Sequence, residues 1–573
     1  MSQSAPRLGG AVAAVLALAT VAAAMTWPLA RQVTTHLPDV QIACRFDAIF
    51  AAWTLAWETT ALTSAPWTIL DTNIFFPTTG TLFYGSTGFG ALVLFAPVFL
   101  VTGNPILALN ATFLGGAILT AVSLHLVVVH WTDRWLAGFV AGVAYLATRW
   151  VLWFWNPTAP QYAPLFWLPI IILLASTPAA SFRRALWLAP LIALQSALDL
   201  VYVAPAVIAP IAVLAVVRIG RPATRAAGWR LAGALALALV MLAPLYAGLL
   251  AVRIDNPALR EQTVWRVGDL PPTVPFPGIF LHGTYPTAVP AAGLALVLVG
   301  VWMRRRRRAR GEPTVPAVAW RHAAYWTVAG LALATPPMVQ LWGTSSPVLL
   351  PHGWLNAWVP IYGVIRSPER LGVVALIGLC LLIGIGFAEC LRGVTVPAAH
   401  RLRSLALAAA VLAAIHVEYR RGLWAPDRMP LPRGYALMEP PALDDATAAV
   451  LASGAGPVLE LPVAADGVLP GRHARAMYRS IFHHRPLLNG YSSYWPAGFP
   501  ARMALASRLP DADALATLRG ETGLATIVVQ LDEVRDADRK AAWLAIPTSR
   551  RTDLVLRSHV GATMVFDVTP PVV

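Results

Sequence analysis

The sequence predicts a mainly α, polytopic membrane protein of about eleven transmembrane helices, followed by a C-terminal α/β domain outside the cytoplasm. Three observations predict it. Of the 573 residues, 57% are hydrophobic and only 12% charged, about half the charged share of a soluble domain. With a mean hydropathy of +0.62, a single aqueous core cannot hide the apolar surface. The apolar residues also come in runs approaching span length, and the basic residues, nearly all Arg, cluster between those runs. The densest cluster is RRRRRAR at 304–310.

The first apolar run, 11–26, follows Arg7 and ends in small residues, as a signal peptide does. Its apolar character continues through Trp27, Pro28 and Leu29, which favours an uncleaved first helix; cleaved or not, it exports the segment after it. Further candidate spans lie at 107–129, 135–152, 163–175, 185–198, 201–217, 231–252, 288–303, 323–337, 371–391 and 405–416. Several are shorter than the ~20 residues a span needs, so their boundaries are soft.

The run at 90–101 contains Pro97 and offers only about 12 apolar residues, a length typical of interfacial or re-entrant segments. If it spanned, Arg134 and the cluster at 304–310 would fall on opposite sides of the membrane. If it lies in the interface, Arg134 and the arginines at 183–184, 218–230, 304–310 and 392–403 all face the cytoplasm, as the positive-inside rule requires. That choice puts the N-terminus in the cytoplasm and makes 30–106 one long first external loop. The other external loops are 153–162, 253–287 and 338–370. The chain then divides into a membrane domain, 1–416, and an external α/β domain, 417–573. In the latter, β-like runs at 458–461, 526–531, 553–557 and 563–568 alternate with helical stretches such as 510–519. No internal repeat is visible.

A net charge of +15 and a pI near 10.4 resemble a nucleic-acid signal, but basic runs beside spans meet lipid headgroups, so no nucleic-acid partner is expected. Cys44, Cys380 and Cys390 offer neither metal spacing nor a disulfide framework. The single lysine, Lys540, follows no glycine-rich stretch, which excludes a Walker A loop.

Polar residues gather at the external surface, while the spans are nearly free of charge; Glu389, near a cytoplasmic end, is the main exception. Ion-coupled transporters place carboxylates near the bilayer midplane, so an enzyme at the external surface is favoured over a transporter. The strongest signal is RFDAIFAAWTLAWE at 45–58. Read as a helix, it puts Asp47, Ala51, Thr54 and Glu58 on one face. Phe46, Ile49, Phe50, Trp53 and Trp57 make the other face apolar, which predicts a helix lying at the membrane interface. The two carboxylates stand ~16 Å apart along it, too far for the ~5–9.5 Å pair of a glycoside hydrolase. One carboxylate alone as a general base fits better. The plainer reading has Asp47 pairing with Arg45 or stabilising the helix N-terminus. In the tail, the neighbours His483 and His484 would face opposite sides of a strand. With His473 and Asn489 they lack zinc-ligand spacing, so no metal site is expected. Tyr491, Tyr494 and Trp495 suit packing or contact with a glycan.

Asp47 soon after the first helix, Asp71-Thr72-Asn73-Ile74-Phe75-Phe76-Pro77 and Thr102-Gly103-Asn104-Pro105 form one set of motifs. Ile365-Arg366-Ser367-Pro368-Glu369-Arg370, Leu459-Glu460-Leu461-Pro462 and His484-Arg485-Pro486-Leu487-Leu488-Asn489-Gly490-Tyr491 continue it. Together they resemble a group of large bacterial membrane glycosyltransferases of the GT-C type, which take sugar from a polyprenyl-phosphate carrier. Each motif is loose, but the resemblance runs over nearly the whole chain.

The resemblance implies a GT-C-like fold in a bacterial inner membrane, with the C-terminal domain periplasmic. It implies inverting transfer of one sugar from a polyprenyl-phosphate sugar donor to a lipid-linked or cell-surface glycan acceptor on the outer face. In that family an acidic residue of the first external loop activates the acceptor hydroxyl. Asp47 looks like that position, with Asp39 or Glu58 as substitutes. Arg366 and Arg370, then Arg149 at the end of the third span, would hold the carrier phosphate, since guanidinium grips phosphate through a fork. The plainer reading leaves these arginines in headgroups or against Glu369. His282 is a donor-side candidate or a structural loop residue. No cofactor is implied, and a divalent metal is not indicated. One departure stands out: relatives tend to carry a histidine where this chain has Thr158-Ala159-Pro160-Gln161; if that histidine is needed, this member is inactive or uses another acceptor. Two other readings suit the same architecture, a non-catalytic protein of envelope glycan assembly and a transporter or flippase of lipid-linked sugar.

Overall fold

The computed structural model describes residues 8–40, 44–177, 182–255, 285–341, 344–365, 367–392, 397–421, 430–464 and 470–569. It is mostly helical, one of the two ways in which a chain satisfies its backbone groups inside a bilayer. Each of the eleven apolar runs falls on a helix: Leu8–Met25, Pro105–Thr132, Trp135–Leu146, Trp167–Ser176, Phe182–Ser196, Val203–Ile219, Arg225–Asp255, Ala291–Ala309, Ala317–Leu333, Val373–Leu391 and Pro397–Arg421. Helix length and composition alone do not reach the expected eleven crossings. Among the described residues four helices are long and apolar enough to cross a membrane. A fifth is added if Trp135–Leu146 and Arg149–Thr158, bent by 61°, form one span. The run at 90–101 is an eleven-residue helix, Leu92–Thr102, about half the length that a bilayer core demands.

The helix Val373–Leu391 is the centre of the bundle. All nineteen of its residues are buried, as expected of a helix that is hydrophobic all round. It packs against Ala317–Leu333, Ala291–Ala309, Trp135–Leu146 and Pro105–Thr132. Small residues permit the close approach: a Cβ on Gly300 would lie 2.6 Å from the Cα of Gly386, so the two backbones touch there without side chains. Near one end of this helix, Glu389 accepts the Val315 N–H at 2.9 Å and lies 3.8 Å from Arg304 and 4.0 Å from Arg307. Arg307 also donates to the Arg392 carbonyl, so arginines from separate clusters of the sequence share one end of the bundle.

At the other end lie the long segment 30–106 and the C-terminal region. β1 (Leu37–Pro38) pairs antiparallel with β4 (Leu437–Met438), and β2 (Met338–Leu341) forms a hairpin with β3 (Thr344–Leu349). The C-terminal region carries a four-stranded mixed sheet of β5 (Val458–Leu461), β6 (Thr526–Gln530), β7 (Leu554–Val560) and β8 (Thr563–Val568), in the order β5-β6-β8-β7. β5 and β6 are parallel, and the other pairs are antiparallel. The helix Ala512–Thr522 follows the Asp511 cap, whose carboxylate accepts the Ala514 N–H at 2.9 Å. The buried faces of this sheet and of the bundle belong to one continuous apolar core.

The helix Arg45–Ser64 departs from expectation. Instead of lying on a surface with one face in lipid, it buries Ala48, Ile49, Ala51, Ala52, Trp53, Thr54, Leu55, Ala56 and Glu58 together. It is wedged between Leu92–Thr102, Pro105–Thr132 and the C-terminal helix Pro470–Ser480. Four of those residues are alanines, which let neighbours close in on the supposedly polar face as well. A sequence pattern shows which residues are polar, but not that protein will cover both sides.

Several motifs prove to be joints. In Thr102-Gly103-Asn104-Pro105, Gly103 takes a left-handed conformation (φ 64°) that ends one helix. Asn104 then caps the next, accepting from the Ile106 and Leu107 N–H groups at 2.9 Å each, with Pro105 in its first turn. The segment 73–76 pairs with 487–489 through Leu487 N–H to Asn73 O at 2.6 Å, Phe75 N–H to Asn489 O at 3.0 Å and Phe76 N–H to Leu487 O at 3.0 Å. Gly490 lies flat against the Phe75 ring, where a Cβ would come within 2.2 Å. Asn489 in turn clamps β5, accepting the Glu460 N–H at 2.7 Å and donating to its carbonyl at 2.9 Å.

Candidate functional site

The joint between 73–76 and 487–489 sets the next residues of the tail over the first turn of Arg45–Ser64. Tyr491 Oη donates to Asp47 Oδ1 at 2.8 Å, and the Tyr491 ring meets Phe50 edge-on at 5.6 Å. Asp47 does not pair with Arg45: that arginine is bonded to Asp39, so Asp39, the substitute base, is already engaged. Asp47 instead faces a polar cleft. Two adjoining hollows of about 630 and 1020 Å³ share Ser86, Arg370 and Ser493 in their walls. Asp47, Gln161 and Tyr491 line one, and Asp199, Arg253 and Tyr494 line the other.

Arg370 stands where the hollows meet. It projects from the short turn Pro368–Gly372, with its guanidinium 3.7 Å from the centroid of the Trp155 ring and 5.2 Å from that of Tyr202. Such stacking holds a cation without neutralising it. Among the described residues Arg370 forms no ion pair, Glu369 included. A guanidinium fixed by rings and open on a polar cleft is suited to receive an anion.

One wall of the cleft is a relay of three side chains. Tyr162 donates to Asp199 Oδ2 at 2.6 Å. With the tyrosine proton so engaged, Ser86 is the donor in the 2.9 Å bond to Tyr162. Asp199 also accepts the Val201 N–H at 2.9 Å and the Tyr202 N–H, and burial pushes its carboxyl up from the ordinary range. The relay fixes Ser86 at the boundary of the two hollows.

The structure distributes the expected site residues unevenly. Asp47 and Arg370 come together in one cleft. Glu58 lines neither hollow; it is fully buried and accepts the Gly88 N–H at 3.1 Å, bracing the loop that carries Ser86. Burial pushes its carboxyl up to about 8. Arg149 lines neither hollow. Arg366 and His282 lie outside the described residues. Among the described residues no three His, Cys, Asp or Glu side chains converge as metal ligands. Gln161, from the segment 158–161 where a histidine is expected by resemblance, lines the cleft, and its Oε1 is buried without a hydrogen-bond partner among the described residues.

Sequence reasoning missed Asp199, Ser86, Tyr162 and Arg253. Asp199 was the most findable, a carboxylate in the short break between two apolar runs. Ser86 and Tyr162 carry no pattern in the sequence.

No family model matches the sequence, and no curated protein matches it either. Solved structures do. The arabinofuranosyltransferase AftD from Mycobacteria superposes on 99% of this chain with a TM-score of 0.54 at 14% identity. A mutant of the same enzyme covers 100% of this chain with a TM-score of 0.55 at 16% identity. The chain spans only about two fifths of AftD, 40% and 42% of the two structures. ArnT from Cupriavidus metallidurans, at 12% identity, covers 98% of this chain and is itself covered over 99%; its TM-score of 0.47 adds no argument. Identity this low speaks for architecture and not for substrate. By architecture, the chain has the fold of the GT-C type polytopic membrane glycosyltransferases.

Proposed function

We propose that the protein transfers a sugar from a polyprenyl-phosphate donor to the hydroxyl of a lipid-linked or cell-surface glycan, at the outer face of a bacterial inner membrane. The observation that carries this reading is a single cleft with a carboxylate in one hollow, Asp47, and at the junction with the other an arginine, Arg370, that forms no ion pair among the described residues. Glycosyl transfer from a phosphate needs a base for the incoming hydroxyl and a cation for the outgoing phosphate.

In this reading Asp47 takes the proton of the acceptor hydroxyl, held towards the cleft by Tyr491. The acceptor oxygen then bonds to the anomeric carbon on the face opposite the phosphate. The bond between that carbon and the phosphate oxygen breaks, and its electron pair leaves with polyprenyl phosphate; displacement from the rear inverts the anomeric centre. Arg370, and Arg253 in the adjoining hollow, hold the charge that grows on the leaving phosphate. The paired arginines at the far end of Val373–Leu391 would face the cytoplasm, and the cleft and C-terminal domain the periplasm.

The test is sugar transfer by the purified protein in lipid, using radiolabelled polyprenyl-phosphate sugars and membrane-extract acceptors. Wild type is expected to transfer label, and Asp47→Asn to lose transfer while remaining folded. Equal transfer by both would remove Asp47 as the base. Failure of both across a broad donor panel would favour a non-catalytic role in glycan assembly.

A further inference from the structure

A third hollow lies on a different side of the bundle and, among the described residues, shares no lining residue with the cleft. It has about 1070 Å³ between the helices Leu8–Met25, Trp135–Leu146 and Pro397–Arg421. Its walls are apolar, with Met25, Phe139, Val143 and Leu412 among them. Its polar groups collect near the end of Pro397–Arg421, where Arg420 and Arg433 line it together. The backbone bond from Leu431 N–H to Arg420 O, 2.9 Å, brings the segment carrying Arg433 back to the end of that helix.

Among the described residues no carboxylate lines this hollow. The nearest in sequence, Glu418, is turned away to accept the Ala291 and Ala292 N–H groups at 2.6 and 3.3 Å. Among the described residues neither arginine forms an ion pair. Tyr435 and Tyr419 line the hollow between them, and Trp153 donates to Tyr419. An apolar slot with two guanidinium groups that form no ion pair among the described residues, beside interface-type aromatic residues, matches a molecule with a hydrocarbon tail and a phosphate head.

We propose that this groove is a resident site for an anionic phospholipid of the surrounding bilayer, with an acyl chain along Phe139, Val143 and Leu412 and its phosphate held by Arg420 and Arg433. The bilayer's own phospholipid is the phosphate-headed amphiphile present at highest concentration around the groove, so mass action favours it over a rare carrier. The bound lipid would also buttress the site. Trp153 forms the groove wall, and two residues on Trp155 forms the face on which Arg370 stacks. The inference does not depend on the transfer reaction.

The test is native mass spectrometry of the full chain in mild detergent, titrated with phosphatidylglycerol or phosphatidylcholine. Wild type is expected to retain phosphatidylglycerol at least tenfold better. Arg433→Gln, at an exposed position, should lower that retention about fivefold, and Arg420→Gln with Arg433→Gln by a further factor of about five. Arg557→Gln, on the distant sheet, should change nothing. Equal retention of the two lipids, or retention unaffected by both arginine variants, would overturn the proposal. So would displacement of phosphatidylglycerol by equimolar polyprenyl phosphate, which would give the groove to the carrier lipid instead.

Discussion

At one end of Val373–Leu391, Arg304 and Arg307 surround Glu389, and further guanidinium contacts go to Glu312 and to backbone carbonyls. Near the other end, about 25 Å away along the helix, Arg370 rests on Trp155 and Tyr202, and the carboxylates nearby are engaged by hydroxyl and backbone groups. Both ends hold arginine close to apolar surroundings. At the first, opposite charges cancel and the result is a joint between helices. At the second, Arg370 shares a cleft with Asp47 and, among the described residues, forms no ion pair of its own, and a cation so placed is what chemistry can use. Arginine content would not have separated the two ends; the partners do.

The comparison is broken most sharply at Asp47. Asp47→Asn keeps an acceptor for the Tyr491 hydroxyl but removes the base, so the transfer rate should fall about 10²–10⁴-fold, with the melting temperature essentially held. Arg370→Gln should lower the rate about 10²–10³-fold through the loss of charge on the leaving phosphate. Arg370→Lys should recover only part of it, because an ammonium neither stacks nor forks as a guanidinium does. These two measurements test the chemical end of the molecule.

Glu389→Gln tests the structural end. Leaving Arg304 and Arg307 without their buried anion should cost about 3 kcal/mol of stability, seen as a lower melting temperature, while the rate per folded molecule stays near wild type. A large loss of rate with unchanged melting would mean that the ends are not divided as described.

At Glu58 the expected effect depends on pH. Its carboxyl is raised by burial to about 8, so the folded state holds a proton that the unfolded state has released above about 4.5. Its contribution to stability is therefore complete below about pH 4.5 and is lost as pH rises through 8. Glu58→Gln keeps an acceptor for Gly88 and cannot ionise. Its melting temperature should match wild type near pH 4, exceed it increasingly up to about pH 8 and hold that lead above it; parallel curves across that range would mean that Glu58 does not titrate as its burial implies.

Much of the architecture was legible locally. The strands Val458–Leu461 and Thr563–Val568 stand where the β-like runs ended, because period and β-branching act within a few residues. Gly103, Asn104 and Pro105 spell a helix stop and start through backbone conformation alone. The site was legible only in part. Asp47 and Arg370 were visible as charged residues beside apolar runs, whereas Glu58 shared a helix face with Asp47 and was still carried into the core. Helix periodicity assigns a direction around the axis, but what waits in that direction belongs to other segments.

The sequence by itself determined that this is a helical membrane protein with charge sorted to the ends of its apolar runs, since hydrophobic transfer and helix propensity depend on composition and short-range order. Only the tertiary structure decided that Tyr491 reaches across 444 positions to Asp47, that Asp199 and Tyr162 anchor Ser86, and that Arg370 lies on Trp155 rather than on a carboxylate. Each of those contacts joins segments far apart in the chain. Hydrogen bonds and ring stacking act over a few ångströms, so they exist only once packing has brought the segments together.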